Sequence, residues 1–145
     1  MTVLALLGIL AAGTAGAIYW AMNWSASARA RKLVNPLPPN PRDIAAGMQL
    51  YRDHCQKCHG PNGDGKGEKA AELFVAPRDF GDAREMRAWT DGELFWSITK
   101  GHRPMPAFAD KLTETERWQA VDYIRTFAQN PAPPAAAPAN GLTSP

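Results

Sequence analysis

The chain is 145 residues long, with 16 basic and 14 acidic side chains and a formal net charge of +2. Arg29, Arg31 and Lys32 supply three of the positive charges, so 13 basic and 14 acidic residues remain and the rest is close to neutral. A near-neutral body excludes nucleic acid as a partner, which needs a basic patch against phosphate, and so short a chain holds one small domain whose core needs a staple.

From Met1 to Ala28 there is no Asp, Glu, Lys or Arg, and the apolar run from Val3 to Trp24 is long enough to cross a hydrocarbon core at about 1.5 Å per residue. Residues 1–28 are therefore expected to form a single transmembrane anchor. A removable secretory signal competes with this reading, since Ala26-Ser27-Ala28 offers a small-x-small cleavage site. Such a signal, however, has a basic start and an apolar stretch of roughly 7–15 residues, and Met1-Thr2-Val3 carries no basic residue. Tyr19, Trp20 and Trp24 suit a headgroup interface, and Gly8, Ala12 and Gly16 form a small-residue face for a neighbouring membrane helix. The basic cluster at 29–32 would by itself face the cytoplasm, in conflict with the haem chemistry below. A translocated domain can override so short a cluster.

Residues 29–41 include Pro36, Pro38, Pro39 and Pro41 and predict a semi-rigid, extended stalk. Residues 42–130 follow as the folded domain. Ile44, Gly47, Met48 and Tyr51 recur at helical spacing, and this first helix runs into Cys55-Gln56-Lys57-Cys58-His59. Cys-x-x-Cys-His is the attachment signature of c-type haem. One helical turn between the thiols lets each form a thioether to the same porphyrin, and the next residue then projects its imidazole at the iron. Zinc would need four ligands, and besides His59 only His54 and His102 are left to supplement the pair. A redox disulfide would sit after a strand in an alternating β/α pattern, which is missing. The expected cofactor is one covalent haem c, which also places the domain outside the cytoplasm.

Gly60, Gly63, Gly65 and Gly67 lack both the Gly-Lys-Ser/Thr ending of a phosphate loop and an acidic calcium series, so the segment reads as a turn-rich wrap around the haem. Met86 reads as the buried side of a short helix. Thr90…Glu93 and Thr113…Glu116 are capping boxes that start two further helices. Between them Met105 stands between Pro104 and Pro106 on a stiff loop, the placement of a thioether ligand; His102 or an open sixth position is the alternative. On the last helix Trp118, Val121 and Ile124, with Tyr123 and Phe127, are expected inward, and Arg117, Asp122 and Arg125 outward. Strand signals are absent, so the fold class is all-α. The tail 131–145, rich in Pro and Ala, is expected to be disordered.

The Cys-x-x-Cys-His-Gly start, the glycine loop, Ala76-Pro77-Arg78-Asp79-Phe80 and Met105-Pro106-x-Phe108 together resemble class I monohaem cytochrome c. The resemblance implies a small all-helical fold around one haem, with the first and last helices crossing near Gly47 and Tyr123. It implies that the Pro77 carbonyl accepts a hydrogen bond from His59 Nδ1, and that Trp89 or Trp96 bonds a haem propionate, unless these aromatics only fill the core. With His59 and Met105 on the iron no site is left for oxygen, so the expected function is single-electron transfer. The setting expected is a respiratory or photosynthetic complex in the cell inner membrane, haem domain on the periplasmic side. Partners would be integral-membrane subunits met through the N-terminal helix and a redox donor and acceptor. A soluble periplasmic shuttle, or a peroxidase-like or ligand-binding haem protein lacking the Met105 bond, are the alternatives.

Overall fold

The computed structural model describes residues 28–37 and 40–129. Most of the expected membrane anchor, Pro38 and Pro39 of the stalk, and the C-terminal tail lie outside them, and no helix among the described residues is long and apolar enough to cross a membrane.

After a helical stub at residues 28–30, five whole helices and one 3-10 turn follow among the described residues: α1 (Pro41–His54), α2 (Gln56–His59), the turn Ala70–Glu72, α3 (Ala83–Ala88), α4 (Asp91–Lys100) and α5 (Glu114–Gln129). Their starts are set by local chemistry. Asn40 accepts the Asp43 N–H at 2.9 Å, and Pro41 occupies a first-turn position where no donor is needed. Asp82 takes the N–H groups of Arg84 and Glu85 ahead of α3. Both capping boxes form as expected: Thr90 and Glu93 exchange bonds ahead of α4, and Thr113 and Glu116 ahead of α5. Strands are absent among the described residues; the one β-type contact is the isolated pairing of His102 with Met105.

The core forms where α1 crosses α5. A Cβ on Gly47 would stand 2.0 Å from the Gln119 carbonyl oxygen and 3.0 Å from Tyr123 Cβ, so the helices meet backbone to backbone. Beside this crossing Tyr51 and Val121 are fully buried, joined by Leu94, Phe95, Ile98, Trp118 and Ile124 from α4 and α5. Met86 of α3 is buried as its helical setting suggested.

Two expectations change. Arg125, read as an outward residue, is a clamp: Nε donates to Asp91 Oδ1 at 2.7 Å, and its two terminal nitrogens donate to the carbonyls of Met86 (2.7 Å) and Trp89 (2.5 Å). Those carbonyls close the end of α3, so the guanidinium reinforces the long 3.4 Å bond from the Trp89 N–H to the Met86 carbonyl and supplies a donor to the Trp89 carbonyl.

The stalk, in turn, does not stand away from the domain. Residues 28–37 lie across α4 and α5 as a strap. Ala30 is buried, and its carbonyl sits where a Cβ on Gly92 would be, 2.0 Å away. Arg31 Nε bonds Glu93 Oε1 at 2.7 Å, Asn35 Nδ2 donates to Asp122 Oδ1 at 2.6 Å, and Leu37 packs against the core. The strap's partners lie 62 and 87 residues away in sequence.

Burial pushes the Glu93 carboxyl up, but bonds from the Thr90 N–H, from Arg31 and from the Thr90 hydroxyl outweigh it and hold the group below its ordinary value of 4.5. A depressed folded value means the Glu93 contribution is complete above 4.5 and is lost as pH falls through the lower folded value. Glu93→Gln should therefore be less stable at neutral pH, with a shallower loss on acidification, in thermal melts taken across that range. Gly47→Val should cost about 1–3 kcal/mol or more, measured by denaturant unfolding, because neither backbone at the crossing can retreat.

Candidate functional site

Cys55 joins α1 to α2 without a break. Its N–H donates to the Tyr51 carbonyl at 2.8 Å, and its carbonyl accepts from the N–H groups of Cys58 (3.0 Å) and His59 (2.9 Å). One turn of backbone therefore carries both thiols and the imidazole, and all three side chains line a single cleft with about 1110 Å³ of empty space, part of it open to solvent. Leu73, Val75 to Arg78, Phe80, Leu94 and Ile98 supply mostly apolar walls, and the turn 102–106 supplies Met105.

His59 is oriented from behind. Its Nδ1 lies 3.4 Å from the Arg78 carbonyl oxygen, which can only accept, so Nδ1 carries the proton and Nε2 keeps a lone pair. The Phe80 ring stacks on the imidazole, centroids 4.6 Å apart and planes 17° from parallel. Burial lowers the His59 pKa, the bond to Arg78 opposes this, and the result is a neutral ring, the form that ligates.

The acceptor corrects the assignment of Pro77. Its carbonyl faces Gly65 instead, 2.5 Å from where a Cβ would stand there, and the next carbonyl along takes the His59 bond. Arg78 was not singled out from the sequence. Besides its carbonyl, its guanidinium lies 4.0 Å over the Trp89 ring and pairs with Glu85.

The tryptophans separate. Trp89 lines the cleft. Trp96 does not; it lies near the Lys100 ammonium, 5.3 Å from its ring centre, because α4 turns Leu94, Ser97 and Ile98 to the cleft.

The glycine loop wraps the attachment helix. N–H groups of Gly65, Gly67 and Lys69 donate to the carbonyls of His59 (2.9 Å), Cys58 (3.1 Å) and Lys57 (3.0 Å), capping the end of the four-residue α2. Tyr51 adds a buried tie, its hydroxyl donating to the Gly60 carbonyl at 2.7 Å.

Met105 is half-buried in the cleft wall, and His102, exposed, lines the cleft beside it. Burial, then the neighbouring Cys58, pushes the Cys55 thiol up to about 12. Among the described residues no three His, Cys, Asp or Glu side chains gather to hold a metal ion. The donor set and the apolar walls fit a haem attached at Cys55 and Cys58 with His59 toward its iron.

Comparison with known proteins agrees with that fit. Residues 42–124 match the family described as cytochrome c oxidase, cbb3-type, subunit III. The cytochrome c subunit of the cytochrome bc1 complex of Corynebacterium diphtheriae is 27% identical over 94 residues, covering 64% of this chain and 30% of that protein. The cbb3-type cytochrome c oxidase subunit FixPc of Rhizobium leguminosarum bv. viciae is 28% identical over 91 residues, 62% of this chain and 30% of its own length. This chain thus spans about a third of those curated relatives. The solved c-type cytochrome KustC0563 is 33% identical with a TM-score of 0.51, covering 56% of this chain and 95% of that one.

Tyr51→Phe takes one of two donors from the Gly60 carbonyl, leaving the Gly63 N–H at 3.2 Å, and should cost about 0.5–1.5 kcal/mol in denaturant unfolding of the holoprotein.

Proposed function

This chain belongs to the family described as cytochrome c oxidase, cbb3-type, subunit III, and from that premise we propose that it is a membrane-tethered one-electron carrier whose iron is held by His59 and Met105. Its cofactor is a covalently bound c-type haem. The observation that carries the reading is that Cys55, Cys58, His59 and Met105, drawn from two segments far apart in sequence, line one cleft. Bound there, the haem supplies one-electron redox chemistry, and the residues of the chain decide how it is used. Neutral His59, tied at Nδ1 to the Arg78 carbonyl, offers Nε2 in a fixed plane. Met105 would supply a soft thioether as the second protein ligand of that haem, the ligand set of raised potential in cytochromes c. Leu94, Ile98 and Phe108 line the cleft and would keep water from a haem held there, so that little would reorganise when its charge changes by one.

The unbroken apolar run from Val3 to Trp24 supports anchoring in the cell membrane, with the haem domain on the periplasmic side. Two relatives are named as subunits of a cytochrome bc1 complex and a cbb3-type oxidase. That supports a place in a respiratory complex, receiving electrons from one redox protein and passing them to another. The near-neutral charge of the body fits partners held side by side, since long-range steering needs a strong field.

The ferric holoprotein is expected to be low-spin with the weak far-red band of a thioether ligand, and a redox titration to follow a single one-electron wave. Met105→Ala should remove that band and lower the midpoint potential while leaving the haem covalently bound. A ferric spectrum without the band in the native protein would overturn the Met105 assignment. Intact mass spectrometry of the protein extracted from native membranes in mild detergent should give the full N-terminus plus one haem; a chain starting near Arg29 would exclude the anchor.

A further inference from the structure

The turn that presents Met105 presents a second ligand-type side chain in register with it. The His102 N–H donates to the Met105 carbonyl at 3.0 Å, and the Met105 N–H donates back to the His102 carbonyl at 2.7 Å. The two residues thus face each other as an antiparallel pair. Directly opposed residues in such a pair send their side chains out on the same face, with Cα atoms about 5.5 Å apart. Both His102 and Met105 line the cleft. Gly101 at φ +67° precedes the turn, Pro104 stands inside it and Pro106 follows it, so its backbone is stiff. Among the described residues the His102 imidazole is held by no hydrogen bond or ion pair, which leaves its ring nitrogens available.

We propose that His102 is a reserve distal ligand, whose imidazole takes the axial position on the haem iron when the thioether of Met105 leaves it. The proposal rests on the reading that Met105 normally holds that position. The exchange is balanced: an iron–sulfur bond breaks and an iron–nitrogen bond forms. A neutral thioether leaves, a neutral imidazole enters through its lone pair, and neither electron nor proton is transferred. Imidazole is the harder donor and favours the ferric state, whereas the softer thioether favours the ferrous. The pair would therefore hold the axial position closed to small ligands in two conditions of different potential. His54 also lines the cleft, but it precedes the attachment turn at the end of α1 and lies edge-on to Phe108, ring centres 6.0 Å apart.

The test uses the full-length holoprotein with Met105→Leu, which removes the sulfur and roughly keeps the side-chain volume. Absorption and electron paramagnetic resonance spectra should show a low-spin, six-coordinate ferric haem without the thioether band, and the midpoint potential should fall. Adding His102→Ala to that variant should convert the haem to high spin and let the ferrous form bind carbon monoxide. His102→Ala alone should keep the native spectrum. The proposal is overturned if Met105→Leu is already high-spin, or if the double variant stays low-spin, which would assign the position to another group. Met105→Gln, read in the same way, serves if the leucine variant takes up no haem. Absence of the thioether band from the native protein would instead remove the Met105 reading beneath the proposal, which is a separate result.

Discussion

At Gly47 the backbone of α1 lies against the Gln119 carbonyl of α5 with no room for a methyl group. That contact sets the separation of the two longest helices and brings Tyr51, one turn further along α1, wholly into the core. From Tyr51 the chain passes through Cys55 into α2, so the position of the crossing is also the position of the thiols and of His59. A wider crossing would lift the attachment turn off Phe80 and separate His59 from the Arg78 carbonyl.

Around that crossing, short elements are held by side chains that complete backbone groups the helices leave open. Arg125 closes the end of α3, the N–H groups of the glycine loop close the end of α2, and Glu93 serves the start of α4 while also receiving Arg31. Helices of four and six residues have little cooperative stability of their own. They persist because tertiary partners supply what a longer helix would supply internally. The result is a cleft whose walls come from several short segments.

What the sequence disclosed and what it withheld divide along the range of the interactions involved. The Cys55–His59 motif, both capping boxes and the stiff turn at Met105 are local, spanning a few residues each, and all were legible. The helix crossing at Gly47 came from family resemblance, since one glycine on a helix says little alone. Arg125 looked solvent-facing because helical periodicity sorts residues by polarity, and a guanidinium turned onto two carbonyls breaks that sorting. The His59 acceptor fell one residue past Pro77, a displacement set by how the glycine loop seats against the Pro77 carbonyl. Trp96 could not be separated from Trp89 until the rotation of α4 was known. The strap was hidden for the same reason: Arg31 finds Glu93 and Asn35 finds Asp122 across most of the chain.

The strap also changes the reach of this end of the domain. Residues 28–37 standing free in an extended conformation would span roughly 31 Å at about 3.1 Å each. Bound down by Arg31, Asn35 and Leu37, they contribute almost none of that slack. Residues 28–37 therefore turn with the domain as part of it.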